Sequence, residues 1–122
     1  MPEMKTVQAF AALVEAGDYL AAIERFYAPD VAMFENQQAL PGGRDALAGR
    51  ERATLAAFQA IKGQRTRPIL CDGDQAAIHW RFEMIPREGE TRVFEEVALQ
   101  TWRGERIVEE RFFYDPAQLR NG

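Results

Sequence analysis

The second half of the chain constrains the fold most, because short glycine turns separate runs in which apolar and polar residues alternate. The runs "QAAIHWRFEMI" and "TRVFEEVALQTW" have the two-residue period that is typical of half-buried strands. Asp72-Gly73 and Arg103-Gly104-Glu105 stand between such runs, and short links of this kind are hairpin signals. We therefore predict antiparallel strands over "TRPILC", these two runs and "RIVEERFFY".

The first quarter of the chain predicts two helices that meet at a tight corner. Apolar residues at helical spacing predict a helix over residues 4–16, with Gly17 as its C-terminal cap. Asp18 is suited to cap a second helix, which Pro29 should end. The stretch "AGDY" is then the corner between the two helices.

A short strand and a third helix complete the first half. "VAMFEN", residues 31–36, predicts the strand, and the apolar spacing after it predicts a helix that includes Ile61 and ends at Gly63. Gly49 inside a helix costs about 1 kcal/mol relative to Ala, so we expect this helix to begin near Arg50. The resulting order, ααβαββββ, predicts an α+β domain with helices covering one face of a curved sheet.

Length and charge restrict the class of protein. The 122 residues are in the usual size range of one domain, and we expect a single domain over 1–122. The net charge is -4 with the basic residues scattered along the chain, which argues against a nucleic-acid partner. No run approaches the roughly 20 apolar residues that cross a bilayer, and the N-terminus lacks a signal pattern. We expect a cytoplasmic protein that does not enter the membrane.

The chain lacks the residues that several kinds of site need. It contains no serine, which excludes serine-triad hydrolysis, and its only histidine and cysteine are His79 and Cys71. Because zinc sites normally use several His or Cys ligands, we do not expect a catalytic zinc. An all-carboxylate magnesium site stays open as an alternative, but we predict neither a metal nor another cofactor.

Three motifs give the chain a family resemblance. "FYAPDVAMFEN", the "AGDY" corner and the final "GERIVEERFFYDP" resemble the SnoaL-like polyketide cyclase group of the nuclear-transport-factor-two-like superfamily, also called the cystatin-like cone fold. The resemblance covers the whole chain. It implies three N-terminal helices packed on the concave face of a curved, mixed or antiparallel sheet, with an apolar pocket inside. It also implies a homodimer formed through the convex face of the sheet.

The resemblance gives the acid at the end of the first strand a role. In ketosteroid isomerases a carboxylate base follows five positions after the aspartate that opens this strand, and counting from Asp30 that position is Glu35. An acid in an apolar pocket loses hydration, which raises the pKa of a carboxyl group toward the range of a general base or acid. Met33 should line the pocket on the same strand face. The alternative is a solvated Glu35 beside the polar loop "NQQ".

Two relatives of known chemistry match incompletely. The isomerases use a tyrosine and a protonated aspartate to stabilise an oxyanion, and here those positions hold Phe10 and Ala98. Losing one such donor typically costs about 10²- to 10³-fold in rate, so steroid isomerisation is disfavoured. Limonene epoxide hydrolases pair an arginine and an acid two apart, as Arg81 and Glu83 are, but the third member falls at Phe112.

The strand around Arg81 leaves the direction of its charged side chains open. On this strand an apolar set, Ile78, Trp80, Phe82 and Met84, alternates with His79, Arg81 and Glu83. Such alternation favours solvent or an interface for the three polar side chains. They would face the pocket only if the apolar set packed across a dimer interface. We keep Arg81 and Glu83 among the candidate ligand-binding residues.

The remaining candidate residues follow from the face that the resemblance assigns to Ala98. Residues two apart share a face, so the last two strands should supply aromatic side chains and a few acids, with Glu110 near one end of the cone. For any one aromatic side chain, a place in the core is the alternative. The further candidates for ligand binding are Tyr19, Glu96, Trp102, Phe112 and Tyr114.

Two functions from different classes remain open at this point. The first is cofactor-independent proton transfer on a small apolar or carbonyl-bearing molecule, of the isomerase, cyclase or dehydratase type, with Glu35 as acid or base. The second is a domain without chemistry that only binds a small molecule or forms a dimer. The absent oxyanion donors and the incomplete hydrolase triad favour the second, and the position of Glu35 favours the first.

Overall fold

The computed structural model describes residues 2–119, with three helices, seven strands and one 3₁₀ turn. The helices are α1 (Met4–Glu15), α2 (Tyr19–Phe26) and α3 (Arg44–Ala57). The strands are β1 (Tyr27–Glu35), β2 (Gln38–Leu40), β3 (Ala60–Arg65), β4 (Leu70–Asp72), β5 (Gln75–Ile85), β6 (Arg92–Arg103) and β7 (Arg106–Phe113), and the 3₁₀ turn is Pro116–Leu119.

The strands form one curved, mixed sheet in the order β2-β1-β7-β6-β5-β3, with β4 also paired to β5. The pair β1–β7 is parallel and all the other pairs are antiparallel. The predicted α+β class with three helices on a curved sheet is confirmed. Within residues 2–119, no helix has the length and apolar character that crossing a membrane requires.

The first strand starts four residues earlier than the sequence predicts. Strand β1 begins at Tyr27, directly after α2, so Pro29 lies inside the strand and not at a helix end. The residue before a proline is disfavoured in the α region, which explains why the helix stops ahead of Ala28. Proline has no N–H to donate, and the pairing of β1 with β7 is irregular between Tyr27 and Ala32.

The predicted bounds of the third helix were wrong at both ends. Helix α3 begins at Arg44 and ends at Ala57, and it contains Gly49. The segment assigned to its last turn is strand β3, where Gly63 pairs with Phe82 of β5. A Cβ atom at Gly63 would lie 2.7 Å from Cε1 of Phe82, so this glycine makes room for an aromatic ring. The short strand β2 was missed, and only the end of "TRPILC" is a strand.

The core lies between the helices and the inner face of the sheet. The ring of Phe10 makes edge-to-face contacts with Phe26, Tyr27 and Trp102, with centroids 5.8, 5.8 and 6.3 Å away. Offset and edge-to-face arrangements are the favourable geometries of aromatic pairs. Gly17 has φ +82° and caps α1 as the sequence predicts, because left-handed backbone costs glycine little. The aromatic cluster closes one end of the space under the helices.

Candidate functional site

A cavity of about 410 Å³ lies between the helices and the inner sheet face. Its volume is within the range of small-molecule sites, roughly 300 to 1,000 Å³. Leu119, which is largely exposed, contributes to its wall, so the cavity extends to the surface beside the 3₁₀ turn. Most of the lining is apolar, and its aromatic rings include Phe10, Tyr19, Trp80, Phe82, Phe94 and Phe112.

The structure brings most of the candidate residues together around this cavity. The candidates that line it are Tyr19, Met33, Glu35, Glu96, Phe112 and Tyr114. Trp102 does not line the cavity, since its ring is buried against Phe10 and Phe26.

Arg81 and Glu83 lie on the other face of the sheet. Their neighbours Trp80, Phe82 and Met84 line the cavity, and successive side chains of a strand point to opposite faces. Nη1 of Arg81 donates to Oε1 of Glu83 at 3.1 Å, so the two residues pair with each other on the outer face.

Glu35 is placed by a tight hairpin loop. Glu35 pairs with Gln38, and the two loop residues, Asn36 and Gln37, have φ +53° and +103°. Positive φ at both central residues is the signature of a type I′ turn, for which asparagine is favoured at the first position. The Asn36 N–H donates to the carbonyl of Phe112 at 2.8 Å, and its Oδ1 accepts from the N–H of Tyr114 at 3.0 Å. Asn36 thereby fixes the end of β7 beside Glu35.

This arrangement places the phenol of Tyr114 on the carboxylate of Glu35. The Tyr114 hydroxyl donates a hydrogen bond to Oε1 of Glu35. Burial, together with this hydrogen bond and the charges of Glu35 and Glu96, raises the pKa of Tyr114 to about 12. The phenol therefore stays protonated at neutral pH and remains a donor to the carboxylate. The apolar strand thus ends in Glu35, which accepts a hydrogen bond from the Tyr114 hydroxyl, and Asn36, which holds the backbone of Tyr114 in place.

Glu96 is a second acid in the cavity wall, on β6 opposite Trp80. Burial raises its pKa to about 8, and the charges of Glu110, Glu51 and Glu35 act in the same direction. No side chain or backbone group in the described range 2–119 hydrogen-bonds to its carboxyl group. Glu96 is thus protonated at neutral pH, with an O–H that the protein leaves available. Glu51 of α3 also lines the cavity, and burial raises the pKa of that carboxyl group too.

The most enclosed acid belongs to a network of four side chains. The Tyr27 hydroxyl donates to Oε1 of Glu110 at 2.5 Å, and Nε2 of Gln100 donates to Oε2 at 2.7 Å. The indole N–H of Trp102 donates to Oε1 of Gln100 at 3.1 Å. Burial raises the pKa of Glu110 to about 7, while the hydrogen bonds from Tyr27 and Gln100 oppose that rise.

Sequence reasoning placed Glu110 near one end of the cone but missed this network, which we call the inner network (Tyr27, Gln100, Trp102, Glu110). Its signal was a pair of polar residues at inward positions on adjacent strands, because Gln100 and Glu110 are direct partners in the β6–β7 register.

Arg50 is the functional candidate that sequence reasoning missed altogether. It lies on the cavity side of α3, and its Nη1 donates to the carbonyl of Pro41 at 2.8 Å. Its Nη2 is buried and has no hydrogen-bond partner in the described part of the chain. The spacing of Leu47, Arg50, Glu51 and Thr54, three and four residues apart, placed them on one helix face and could have identified it.

The acids of the cavity do not form a metal centre. Over residues 2–119, no group of three His, Cys, Asp or Glu side chains is arranged to hold a metal ion. Burial first, and the charges of neighbouring glutamates second, raise the pKa values of Glu96 and Glu110 and favour their protonated forms. Protonated and hydrogen-bonded carboxyl groups around an apolar space can donate, accept and transfer protons.

Comparison with known proteins supports the family resemblance. The model of the SnoaL-like domain matches residues 7–110. A crystal structure of a candidate SnoaL-like polyketide cyclase, or carbohydrate phosphatase, from Mesorhizobium loti is similar, with 28% identity and a TM-score of 0.75 over 90% of this chain and 97% of that one. The resemblance predicted from the three motifs is confirmed.

Two further solved structures share the fold. One is a hypothetical protein with a ketosteroid isomerase-like fold from Catenulispora acidiphila in complex with trimethylamine, at 21% identity and a TM-score of 0.74 over 90% of this chain and 85% of that one. The other is a protein of unknown function with a cystatin-like fold from Xanthomonas campestris, at 20% identity and a TM-score of 0.80 over 98% of this chain and 95% of that one. No curated protein matches the chain.

Proposed function

The chain belongs to the SnoaL-like domain family, and from that premise we propose that it binds a small apolar or carbonyl-bearing molecule and transfers a proton on it without a cofactor. The observation that carries the proposal is the pair of acids with different hydrogen-bonding surroundings in one apolar cavity. Glu35 accepts a hydrogen bond from Tyr114, whereas Glu96 is protonated at neutral pH. Acids whose environments differ in this way are suited to divide base and acid roles.

In the proposed reaction Glu35 is the base and Glu96 the hydrogen-bond donor. Glu35 removes a proton from a carbon next to a carbonyl group, and the carbonyl oxygen, on which negative charge develops, accepts a hydrogen bond from the O–H of Glu96. A donor aimed at a developing oxyanion in a dry site is typically worth about 10²- to 10³-fold in rate. Return of the proton to another carbon gives an isomerase. Attack of the carbanion on a second carbonyl carbon of the same molecule, whose oxygen takes the proton from Glu35, gives a cyclase, and loss of a β-hydroxyl group as water with that proton gives a dehydratase.

Glu96 can supply an oxyanion donor that this chain lacks at the positions used by ketosteroid isomerases. Phe10 and Ala98 occupy the positions of the donors in ketosteroid isomerases, and neither side chain can donate. Glu96 precedes Ala98 by two residues on the same strand face, and its side chain lines the cavity. The Mesorhizobium loti neighbour carries a cyclase name and the Catenulispora acidiphila neighbour holds a small molecule, in keeping with this class of function.

Exchange of α-protons for deuterium tests the proposal without knowledge of the natural substrate. The probe is 2-tetralone in D₂O, a compact aromatic ketone, and NMR follows the loss of its α-proton signals. We expect the protein to accelerate exchange over buffer, and Glu35→Gln to lower that acceleration by about 10²-fold or more. Glu96→Gln should lower it by a smaller factor, because an amide still donates a hydrogen bond.

Glu83→Gln is the matched control, since it makes the same change on the outer face of the sheet. It should leave the exchange rate unchanged. Exchange that Glu35→Gln does not slow would eliminate Glu35 as the base.

The second candidate function is binding without chemistry. The lack of donors at Phe10 and Ala98 favours it, because the cavity then holds a ligand but does not stabilise an oxyanion. Under this function 2-tetralone would bind in the cavity and quench the fluorescence of Trp80, yet its α-protons would exchange at the rate in buffer. Acceleration by the wild-type protein would exclude this candidate.

The proposal includes a homodimer through the outer sheet face and a cytoplasmic location, both of which stay predictions from the sequence. Val97 and Phe113 are paired neighbours of β6 and β7 on that face, and 38% and 41% of their surfaces are exposed. Val93 is also exposed nearby on β6. Contiguous exposed apolar side chains favour association with another surface. Light scattering at micromolar concentration should give twice the chain mass, and Val97→Asp should give the monomer.

A further inference from the structure

We propose that the ligand of this cavity is an organic anion, an apolar body with one carboxylate, and that the carboxylate accepts the Nη2–H of Arg50. The inference rests on the proposed small-molecule function and adds to it the chemical class of the ligand. The cavity wall is mostly apolar, with four acids, and Arg50 is its one permanently charged cation among the described lining residues.

One terminal nitrogen of the Arg50 guanidinium is hydrogen-bonded, and the other has no partner within residues 2–119. Nη1 donates to the carbonyl of Pro41 at 2.8 Å, which fixes the plane of the group. Nη2 is out of contact with solvent and finds no acceptor within residues 2–119. Buried polar groups in folded proteins nearly always have a partner, and a charged donor without one is especially unfavourable. A ligand in the adjoining cavity can supply the missing acceptor.

Arg50 also lacks a counter-ion within residues 2–119, although its Nη2 is out of contact with solvent. Three other arginines each lie within 3.1 Å of a glutamate carboxylate, namely Arg65 with Glu15, Arg81 with Glu83 and Arg111 with Glu109. No ion pair joins Arg50 to any acid in the described part of the chain. Its neighbour Glu51 and the cavity acid Glu96 keep raised pKa values, which a close arginine would lower.

A carboxylate is a better hydrogen-bond partner for Nη2 of Arg50 than a neutral or cationic group. Arginine presents parallel N–H donors that match the two oxygens of a carboxylate, and the charge-assisted bond is stronger than one to a neutral oxygen. Because Glu96 holds its proton at neutral pH, it adds a donor and no repelling charge. An amine would bring a second cation to the Arg50 end of the cavity.

Three probes that differ only in one substituent test the inference by isothermal titration at pH 7. They are 2-naphthoate, 2-naphthalenemethanol and 2-naphthylmethylamine, which carry an anion, a neutral hydroxyl and a cation on the same ring. We expect naphthoate to bind at least about tenfold more tightly than the alcohol, and the amine to bind most weakly. In Arg50→Met the preference of naphthoate over the alcohol should fall below about threefold.

The control is Arg52→Met, which removes the same charge from an exposed position two residues along α3. It should keep the full preference for naphthoate, so that a general loss of positive charge is separated from the loss of Nη2. Arg50→Lys keeps the charge without the fork and should show an intermediate preference. Circular dichroism verifies that each variant is folded.

The outcomes separate this inference from the function on which it rests. Equal binding of the naphthoate and the alcohol, tighter binding of the amine, or an unchanged preference in Arg50→Met would overturn the anion inference and leave the cavity a binding site. Failure of all three probes to bind would overturn both, since each requires a cavity that admits a small apolar body.

Discussion

Glu110 and Glu35 lie on the neighbouring strands β7 and β1, and each accepts a hydrogen bond from a tyrosine hydroxyl, yet the chain surrounds them differently. Glu110 is 1% exposed and takes a second hydrogen bond from Gln100, which in turn accepts from Trp102. Glu35 is half-buried, and Tyr114 is the one hydrogen-bond donor to its carboxylate within residues 2–119. Glu96, nearby on β6, has no donor in that range at all.

The comparison separates acids that hold the fold from acids that are available to a ligand. Both oxygens of Glu110 are occupied, so the inner network stabilises the closed end of the cavity and has little capacity for substrate. Glu35, Glu51 and Glu96, which we call the outer acids, keep unfilled oxygens toward the cavity. Burial of polar groups is tolerated when they are satisfied and costly when they are not. The outer acids are therefore the carboxyl groups that remain available to the proposed ligand.

Loss of Gln100 from the inner network should destabilise the protein more than any change at the outer acids. Gln100→Leu keeps a similar volume but leaves Oε2 of Glu110 and the indole N–H of Trp102 without partners. Breaking a fully buried network in this way should lower the free energy of unfolding by about 2 to 5 kcal/mol. Urea unfolding measured at pH 7 gives the value.

The matched change among the outer acids is Glu96→Gln, at an inward position of the same strand. Because no described group hydrogen-bonds to the Glu96 carboxyl, and because glutamine has no proton to take up on folding at pH 7, we expect no loss of unfolding free energy in this variant. Equal losses of unfolding free energy in Gln100→Leu and Glu96→Gln would mean that the inner network and the outer acids do not differ in their contribution to stability.

A pair of tyrosine variants compares the inner network with the outer acid Glu35 through the same chemical change. Tyr27→Phe and Tyr114→Phe each remove a hydroxyl that donates to a glutamate. In the inner network this leaves a buried carboxyl oxygen unpaired and should cost about 1 to 3 kcal/mol of unfolding free energy. At Tyr114 the cost should be below about 1 kcal/mol because water can replace the donor.

Activity should respond in the opposite order. Tyr114→Phe should slow deuterium exchange of 2-tetralone by roughly tenfold, since it removes the donor that orients the proposed base. Tyr27→Phe should leave exchange within about twofold when measured well below its melting temperature. A larger activity loss in Tyr27→Phe would transfer the catalytic role to Glu110.

The pH dependence of stability should distinguish Glu96 from an ordinary surface acid. Burial raises the pKa of Glu96 to about 8 in the folded protein, and an unfolded glutamate titrates near its usual value of about 4.3. The folded state thus holds a proton that the unfolded state releases, so stability falls as pH rises from about 5 to about 8. Glu110, with a pKa of about 7, contributes in the same direction.

Glu96→Gln removes one of these two contributions. The loss of unfolding free energy between pH 5 and pH 8 should be smaller than in the wild type by more than about 1 kcal/mol. Glu83→Gln, on the outer face, should keep the wild-type slope. An identical slope in Glu96→Gln would show that this carboxyl group is ionised and solvated in the folded protein.

The sequence predicted the fold well where local patterns and the tertiary structure agree. The alternation of β5 and β6 and the glycine cap of α1 are local signals, and the structure follows them. The prediction failed at the end of α3, where "QAIKG" has helical spacing but pairs with β5 as β3. Strand pairing supplied by a distant part of the chain outweighed the local preference there.

In the candidate site, too, local patterns predicted some residues, and the residues that they missed depend on tertiary contacts. Once the family resemblance assigned the inward face of each strand, the strict alternation of side-chain direction placed Met33, Glu96 and Phe112 in the cavity wall. Arg50 was missed because a charged residue on a helix is usually solvated, and only its packing against Pro41 and the cavity shows otherwise. Which acid is saturated depends on donors up to 83 positions away, which no local pattern encodes.

A change in the hairpin loop that places the outer acid Glu35 should alter stability only slightly. Gln37 has φ +103°, a conformation that strains every residue except glycine, and type I′ turns favour Asn-Gly at these two positions. Gln37→Gly should therefore raise the free energy of unfolding by about 0.5 to 1 kcal/mol, as read from urea unfolding. Because Asn36 and not Gln37 contacts Tyr114, exchange of 2-tetralone should stay at the wild-type rate.

Asn36→Ala is the counterpart at the adjacent loop position. It removes the oxygen that accepts the Tyr114 N–H, and alanine tolerates the φ of +53° poorly. This variant should be less stable and should also exchange 2-tetralone more slowly, since the phenol on Glu35 loses its anchor. Stabilisation by Gln37→Gly at the expense of activity would mean that strain in the loop contributes to the position of Glu35. The open end of the cavity would then depend on backbone conformation as much as on unfilled hydrogen-bonding capacity.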